Sequence, residues 1–93
     1  MSKSSALHKS HPDIVKRLKR VEGHLRSIIT MIAEGRPCLD IAQQLHAVEN
    51  AVTQAKRSLV HDHIDHCLEN AAKNDTREGR RSLEEFKLIS KYL

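Results

Sequence analysis

The chain of 93 residues has almost no aromatic side chains, with one Phe, one Tyr and no Trp. Aromatic residues form the stacking platforms on which single-stranded nucleic acids and unpaired RNA bases bind, so a module of that kind is excluded. Core packing is left to aliphatic side chains. Because a chain this short buries too little surface for a deep core of its own, we expect it to associate with further copies of itself.

Long apolar runs are also missing. No segment approaches the roughly 20 apolar residues of a membrane-spanning helix, and Met1–His8 lacks the apolar core of a signal peptide. We therefore expect a cytoplasmic protein without a membrane partner. Cysteine is scarce, with two residues in the chain, and in a reducing compartment such thiols favour ligation or redox chemistry over a structural disulfide.

The chain has 16 basic residues (Lys and Arg) and 12 acidic residues, and the sequence pI is about 9.3. This modest excess favours an anionic partner such as nucleic acid. The residues predicted to contact double-stranded DNA are Lys16, Arg17, Lys19, Arg20, Lys56 and Arg57. Because no helix-turn-helix or zinc finger is evident, specificity would come from a broad surface that contacts phosphates and reads DNA shape.

The first long helix is predicted from residue 11 onwards. Residues 1–10 carry no periodicity and are interpreted as a flexible arm, followed by a single domain over residues 11–93. Ser10 precedes Pro12 and Asp13 as a helix cap would. Apolar residues then recur in heptads at Ile14, Leu18, Val21, Leu25, Ile28 and Ile32. Gly35 and Pro37 are predicted to end this helix.

A second helix is predicted from Pro37 to about Leu68, and a short third helix follows a polar break at residues 70–79. The heptad positions of the second helix are Ile41, Leu45, Val48, Val52, Ala55 and Leu59. Ser82 and Glu85 have the spacing of a capping box, although a start of the third helix near Asp75 is also open. No strand pattern is present, so the predicted class is all-α with three helices in each chain.

Two long helices joined by a tight turn form an antiparallel hairpin with one side of its apolar seam uncovered. Two such hairpins make a four-helix bundle. We therefore predict a homodimer in which the hairpins cover each other's exposed seams.

The second helix carries the residues most indicative of function. His63 and Cys67 are four residues apart and share a face of the helix. A thiolate with an imidazole suits a late transition metal. Cys38 would complete the set from the start of this helix or from a second subunit. In the predicted dimer, Cys38 of one chain would meet His63 and Cys67 of the other.

Four stretches of the sequence resemble the CsoR/RcnR/FrmR family of small, all-helical bacterial transcriptional repressors. They are Lys16–Leu25, Gly35–Cys38, Gln43–Val48 and His61–Cys67. The resemblance implies a dimer of dimers, which is a homotetramer, and an intersubunit site at the residues matching Cys38, His63 and Cys67. It also implies that the apo tetramer binds operator DNA and that effector binding releases the DNA.

The choice of metal follows from the ligand set. The Cys-His-Cys trio resembles that of copper(I) sensors, whereas an added histidine from the arm or first helix resembles nickel and cobalt sensors. His8 and His11 are both candidates for this fourth ligand. Copper(I) members commonly carry Tyr before the first ligand cysteine, where this chain has Pro37. We therefore favour Ni(II) or Co(II) as the bound ion, with Cu(I) as the alternative.

Other functions would require different residues at these positions. Formaldehyde sensors of the family carry Pro after Met, where this chain has Ser2. Persulfide sensors use the two cysteines alone, which would leave His63 without a role. A cytosolic metal-storage protein would have little use for the basic cluster formed by Lys16, Arg17, Lys19 and Arg20. An enzyme is not predicted, because Cys38 with a histidine has no third orienting group or oxyanion loop.

Overall fold

A computed structural model describes residues 10–73 and 77–93, apart from the side chains of residues 70–73 and 78. The regular structure of these residues is helical: α1 spans His11–Ala33, α2 spans Cys38–Lys73, α3 spans Arg77–Ile89, and a 3-10 turn covers Ser90–Tyr92. The predicted all-α class with three helices is confirmed. Among the described residues, no helix has the length and apolar content that crossing a membrane requires. The predicted arm, except Ser10, and the candidate ligand His8 lie outside the described residues.

The turn between α1 and α2 is held by two backbone hydrogen bonds. The Arg36 amide donates to the Met31 carbonyl at 3.0 Å, and the Gly35 amide donates to the Ile32 carbonyl at 3.1 Å. This pair of bonds is the Schellman arrangement, which needs a residue in the left-handed region. Gly35 fills that position with a φ of 71°, which glycine adopts without steric cost. The predicted end of the first helix is confirmed, and Cys38 becomes the first residue of α2.

Residues 12–55 form one compact unit. Its core consists of Val21, Ile28 and Val48, with Ile41 and Ala51 packed against them. The turn reverses the chain within four residues, so the early part of α2 runs antiparallel to α1, as predicted. His24 Nε2 lies 2.6 Å from Gln44 Oε1, and this hydrogen bond joins α1 to the early part of α2.

The predicted heptad seams contain a buried row and an exposed row. The buried row consists of Ile14, Val21, Ile28, Val48 and Ala55. The exposed row consists of Leu18, Leu25, Ile32, Leu45, Val52 and Leu59, each between 39% and 57% exposed. The buried row packs within the chain, and the exposed row leaves apolar surface uncovered. This is the pattern of a hairpin with one side of its seam open.

A second compact unit joins residues 56–93 with the start of α1. Its buried side chains include Val60, Cys67 and Ser82. The Ser10 hydroxyl donates to Asp62 Oδ2 at 2.8 Å. This bond fixes the start of α1 against the part of α2 that lies in the same unit.

Two predicted helix boundaries were wrong. α2 continues to Lys73 instead of ending near Leu68, because Ala71 and Ala72 favour helix. α3 begins at Arg77, so Ser82 lies inside the helix and is buried instead of capping it. The alternative prediction, that the third helix starts near Asp75, was closer to the observed start at Arg77. Residues 70–73 and 77–79 of the predicted polar break are therefore helical.

Candidate metal centre

His63 and Cys67 lie one turn apart on α2, as their spacing predicts. Cys67 is almost completely buried, with 2% exposure. The His63 side chain keeps 24% of its surface exposed. The pair therefore combines a thiol shielded from solvent with an imidazole that reaches the surface.

Glu85 of α3 completes a group of three side chains with metal-binding atoms. His63 Nε2 lies 3.1 Å from Glu85 Oε2. One ligand atom each from His63, Cys67 and Glu85 lies within 4.8 Å of the others. Sulfur, imidazole nitrogen and carboxylate oxygen at this spacing suit a late transition metal. The residues present thus fit the metal that the sequence pattern indicates.

Glu85 was not among the ligands predicted from the sequence. Its spacing from Ser82 predicted a capping box, which required the third helix to begin at Ser82. With the helix beginning at Arg77, Ser82 faces inward, and Glu85 lies one turn later beside that face. The sequence feature that could have placed Glu85 near the site was its spacing. It lies three residues after Ser82 and four before the half-buried Ile89, so it is next to the inward face of α3.

Glu85 also determines which nitrogen of His63 can bind a metal. A carboxylate only accepts hydrogen bonds, so Nε2 of a neutral His63 carries the proton and donates it to Glu85. The lone pair then lies on Nδ1. A hydrogen bond of this kind orients the ring and increases the basicity of the ligating nitrogen. Glu85 therefore prepares His63 to ligate through Nδ1.

Cys67 holds its proton more tightly than an ordinary cysteine does. Burial of the thiol, and secondly the negative charge of Glu85, raise its pKa from the usual 9.0. A thiolate is the form that binds metal, so binding must displace this proton. Without metal at neutral pH, Cys67 is a buried, protonated thiol.

The pKa shift predicts a change of stability with pH. Because the folded pKa of Cys67 lies above 9.0, the folded chain keeps this proton to higher pH than the unfolded chain. The contribution is complete below the ordinary thiol pKa and is lost as pH rises through the folded pKa. We expect the free energy of unfolding of reduced, metal-free protein to fall above about pH 9. Urea denaturation should show a shallower fall for Cys67→Ala, and equal slopes would contradict the shift.

The other predicted ligands are not part of the group of three. Cys38 is exposed at the first residue of α2 and is a free cysteine. His11 is the first residue of α1 and belongs to the same unit as His63. It follows Ser10, which is bonded to α2. His8 lies outside the described residues.

The predicted DNA-contacting residues are exposed on α1 and α2, and those of α1 lie on more than one surface. Arg17 and Arg20 line a groove together with residues of α2. Lys19 borders a different depression, whose lining includes Glu22. Lys56 and Arg57 are exposed on α2. The basic cluster therefore presents cations in more than one direction.

Comparison with known proteins places these observations in a family. The metal-sensitive transcriptional repressor family matches residues 10–91. The copper-sensing transcriptional repressor CsoR of Bacillus subtilis strain 168 is 38% identical over 82 residues, which are 85% of this chain and 79% of that protein. The copper-sensing transcriptional repressor RicR of Mycobacterium tuberculosis H37Rv is 41% identical over 56 residues, which are 60% of this chain and 58% of that protein.

A solved structure is also similar to this chain. The nickel-responsive transcriptional regulator InrS superposes with a TM-score of 0.77 at 34% identity, covering 88% of this chain and 91% of InrS. The resemblance found in the sequence motifs is thereby confirmed over nearly the whole length. The protein, which is not an enzyme, belongs to the family of metal-sensitive transcriptional repressors.

Proposed function

We propose that this repressor binds operator DNA in its apo form and releases it when nickel or cobalt binds at a site shared by two copies of the chain. The proposed ligands are His63 and Cys67 of one copy, Cys38 of another, and His8 or His11. The observation that carries the proposal is the group formed by His63, Cys67 and Glu85, whose ligand atoms lie within 4.8 Å of one another.

Sharing the site between copies follows from the length of α2. Two residues of one helix share a metal ion when they are about one turn apart, as His63 and Cys67 are. Cys38 is the first residue of the same helix and is far outside that spacing. In an antiparallel four-helix bundle, the start of α2 in one copy approaches the later part of α2 in its mate. The partner's Cys38 is therefore the proposed third ligand.

The exposed apolar row supports association of this kind. Leu18 and Leu25 on α1, with Leu45 and Val52 on α2, leave apolar surface in contact with water. A second hairpin would cover it. We propose a homodimer that assembles further to a homotetramer. Because a repressor acts on the chromosome, we place this assembly in the bacterial cytoplasm.

Nickel or cobalt is favoured by the histidines at the start of the chain. Ni(II) and Co(II) prefer more nitrogen ligands than a single imidazole provides. The Ser10–Asp62 hydrogen bond holds the start of α1 against the part of α2 that precedes His63. His11 follows Ser10 directly, so a histidine from this region has a short path to the site. The similarity to the nickel-responsive regulator InrS supports the same choice.

Copper(I) is the alternative effector. Two thiolates and one imidazole satisfy a soft ion of low coordination number without any further ligand. The similar proteins from Bacillus subtilis and Mycobacterium tuberculosis are described as copper-sensing. With copper(I), the histidines at the start of the chain would have no role in sensing.

Release of DNA would follow from joining two copies at one site. The bound ion would supply a link between a thiolate of one copy and the thiolate and imidazole of the other. Closing that link changes how the exposed cations Lys16, Arg17, Lys19 and Arg20 are presented to DNA phosphates. A coupling free energy of about 2–3 kcal/mol would change operator affinity by roughly 30- to 150-fold.

The proposal is tested by titrating reduced apo protein with Ni(II), Co(II) and Cu(I) without oxygen. Ligand-to-metal absorption reports binding, and fluorescence anisotropy of a duplex from its own promoter reports DNA release. We expect release by Ni(II) or Co(II) that is lost in His8→Ala or His11→Ala. Release by Cu(I) alone, indifferent to these changes, would identify the copper sensor. Metal binding without any DNA binding would indicate storage, and no release by any metal would indicate a thiol- or formaldehyde-responsive repressor.

Glu85→Ala is predicted to weaken metal binding by about 10- to 100-fold, as expected when a residue that orients a ligand is lost. Glu84→Ala is the matched control, because Glu84 is the exposed neighbour on the same helix and lies outside the group. Competition with a chromophoric chelator measures both affinities. Equal affinities in the two variants would contradict a role for Glu85.

Glu85→Gln separates the two effects of the carboxylate. The amide oxygen still accepts from His63 Nε2, but the charge that raises the pKa of Cys67 is removed. Its metal affinity at neutral pH should therefore fall less than that of Glu85→Ala, because the hydrogen bond that orients His63 is kept and one of the two causes of the raised pKa of Cys67 is removed.

A further inference from the structure

A groove lies between α1 and α2 within the unit of residues 12–55. It has a volume of about 440 Å³. Its lining consists of Arg17, Arg20, Val21, His24, Asn50, Ala51 and Gln54. Two guanidinium groups of α1 therefore lie beside two carboxamides of α2. The proposed metal site uses none of these residues.

The groove has the charge of a DNA-binding surface. None of its lining residues is acidic, so Arg17 and Arg20 give the groove a positive charge. Asn50 and Gln54 are exposed, and their side chains make no hydrogen bond within the described part of the chain. Their donors and acceptors are therefore free to bind a partner.

We infer that Asn50 and Gln54 contact base edges of the operator, while Arg17 and Arg20 bind the flanking backbone. This inference rests on the proposed repressor function and goes beyond it, because it assigns sequence recognition to two residues. It also revises our expectation from the sequence that specificity comes from phosphate contacts and DNA shape.

The chemistry of the side chains favours bases over phosphates as their partner. A phosphate only accepts hydrogen bonds, and a neutral carboxamide adds little to its electrostatic attraction. A carboxamide has a donor and an acceptor side by side, and this pair matches N6 and N7 of adenine in the major groove. Asn50 and Gln54 therefore have the groups required to distinguish one base from another.

The spacing of the two carboxamides fits stacked base pairs. Residues four apart on a helix have Cβ atoms about 5–6 Å apart, whereas successive base pairs are about 3.4 Å apart. Asn50 and Gln54 would thus reach neighbouring or next-neighbouring base pairs. Arg17 and Arg20, one turn apart on α1, would hold the backbone beside them.

The test selects bound duplexes from a pool with a randomised central segment, using the reduced, full-length apo protein. Affinity is then measured for the enriched duplex and for a scrambled duplex of the same composition, over a range of salt concentrations. We expect the double variant N50A/Q54A to lose at least about 5- to 150-fold of the discrimination between them, since this is the range for losing one bidentate base contact. Its affinity for the scrambled duplex and its salt dependence should stay unchanged.

Three further variants make the result specific. Gln43→Ala removes an exposed carboxamide of α2 outside the groove and should enrich the same sequence as the natural chain. Gln54→Arg should enrich guanine at one position, because Arg pairs with guanine in the major groove. Arg17→Ala should weaken binding to both duplexes alike and reduce the salt slope.

Two results would overturn the inference, and they differ in meaning. If the double variant keeps the discrimination of the natural chain, or weakens both duplexes equally, the carboxamides do not read bases and the repressor function stands. If the natural apo protein enriches no sequence at all, the proposed operator binding fails together with the inference.

Discussion

Replacing Cys38 with alanine is expected to leave operator binding intact and to abolish its response to metal. Cys38 is exposed at the first residue of α2, and alanine favours helix, so the fold should be unaffected. Without the thiol, metal could still bind His63 and Cys67 but would no longer join two copies. The change of operator affinity on adding metal should fall from the proposed 30- to 150-fold range to about onefold.

Fluorescence anisotropy of promoter duplex with and without Ni(II), Co(II) and Cu(I) measures this loss. Leu39→Ala is the control, since Leu39 is the exposed next residue of the helix and carries no ligand atom. It should respond to metal as the natural chain does. Metal-dependent release by Cys38→Ala would show that this site is not the switch.

Mixing two variants tests whether the metal site is shared between two copies of the chain. Chains with Cys38→Ala and chains with His63→Ala should each lose the complete site. When the two are unfolded and refolded together, mixed dimers should regain one site from the intact halves. About half of the randomly formed dimers are mixed, and each of these has one intact site of two, so tight metal binding at about a quarter of the natural stoichiometry supports a shared site. A mixture that binds no better than its components contradicts it.

Leu25→Glu is expected to dissociate the dimer and to abolish high-affinity operator binding. Leu25 belongs to the exposed apolar row and keeps 40% of its surface in contact with water. Full burial of a leucine contributes about 1.5–3 kcal/mol; covering the exposed 40% of Leu25 contributes a corresponding part of this, twice in a symmetric dimer. An unpaired carboxylate in the same place adds a desolvation cost. The dimer dissociation constant should therefore rise by at least about 100-fold.

Sedimentation velocity over a range of protein concentrations measures the association, and anisotropy measures the DNA affinity. Leu88→Glu is the matched control, because Leu88 is 61% exposed on α3 and lies outside the heptad seams. It should leave both quantities unchanged. If Leu25→Glu sediments like the natural chain, the exposed row is not the dimer interface.

The α1–α2 hairpin could be predicted from the sequence because its determinants are local. The heptad pattern identified the buried Val21 and Ile28, and Gly35 identified the turn, since a left-handed residue is required there. Boundaries in the last third were predicted less well. Ser82 has the residue type of a cap, but helix-favouring residues before it extend α3 back to Arg77.

The candidate site was predicted in part for the same reason. His63 and Cys67 are neighbours on one helix, so their spacing alone predicts their proximity. Glu85 comes from another helix, and its approach to His63 depends on tertiary packing that no local pattern reports. The groove with Asn50 and Gln54 was missed because it is formed by two helices whose relative rotation the sequence does not specify.

Cys38 begins α2, whereas His63 and Cys67 lie far along the same helix. This separation determines how a mutation in one gene copy affects the repressors of the whole cell. Each chain would give Cys38 to one proposed site and the other two ligands to another. A chain that has lost Cys38 would therefore damage a site that it builds with an intact chain. In a cell making both, mixed repressors would still occupy the operator but respond poorly to metal. Loss of one ligand should behave as a dominant trait, with repression kept and induction impaired.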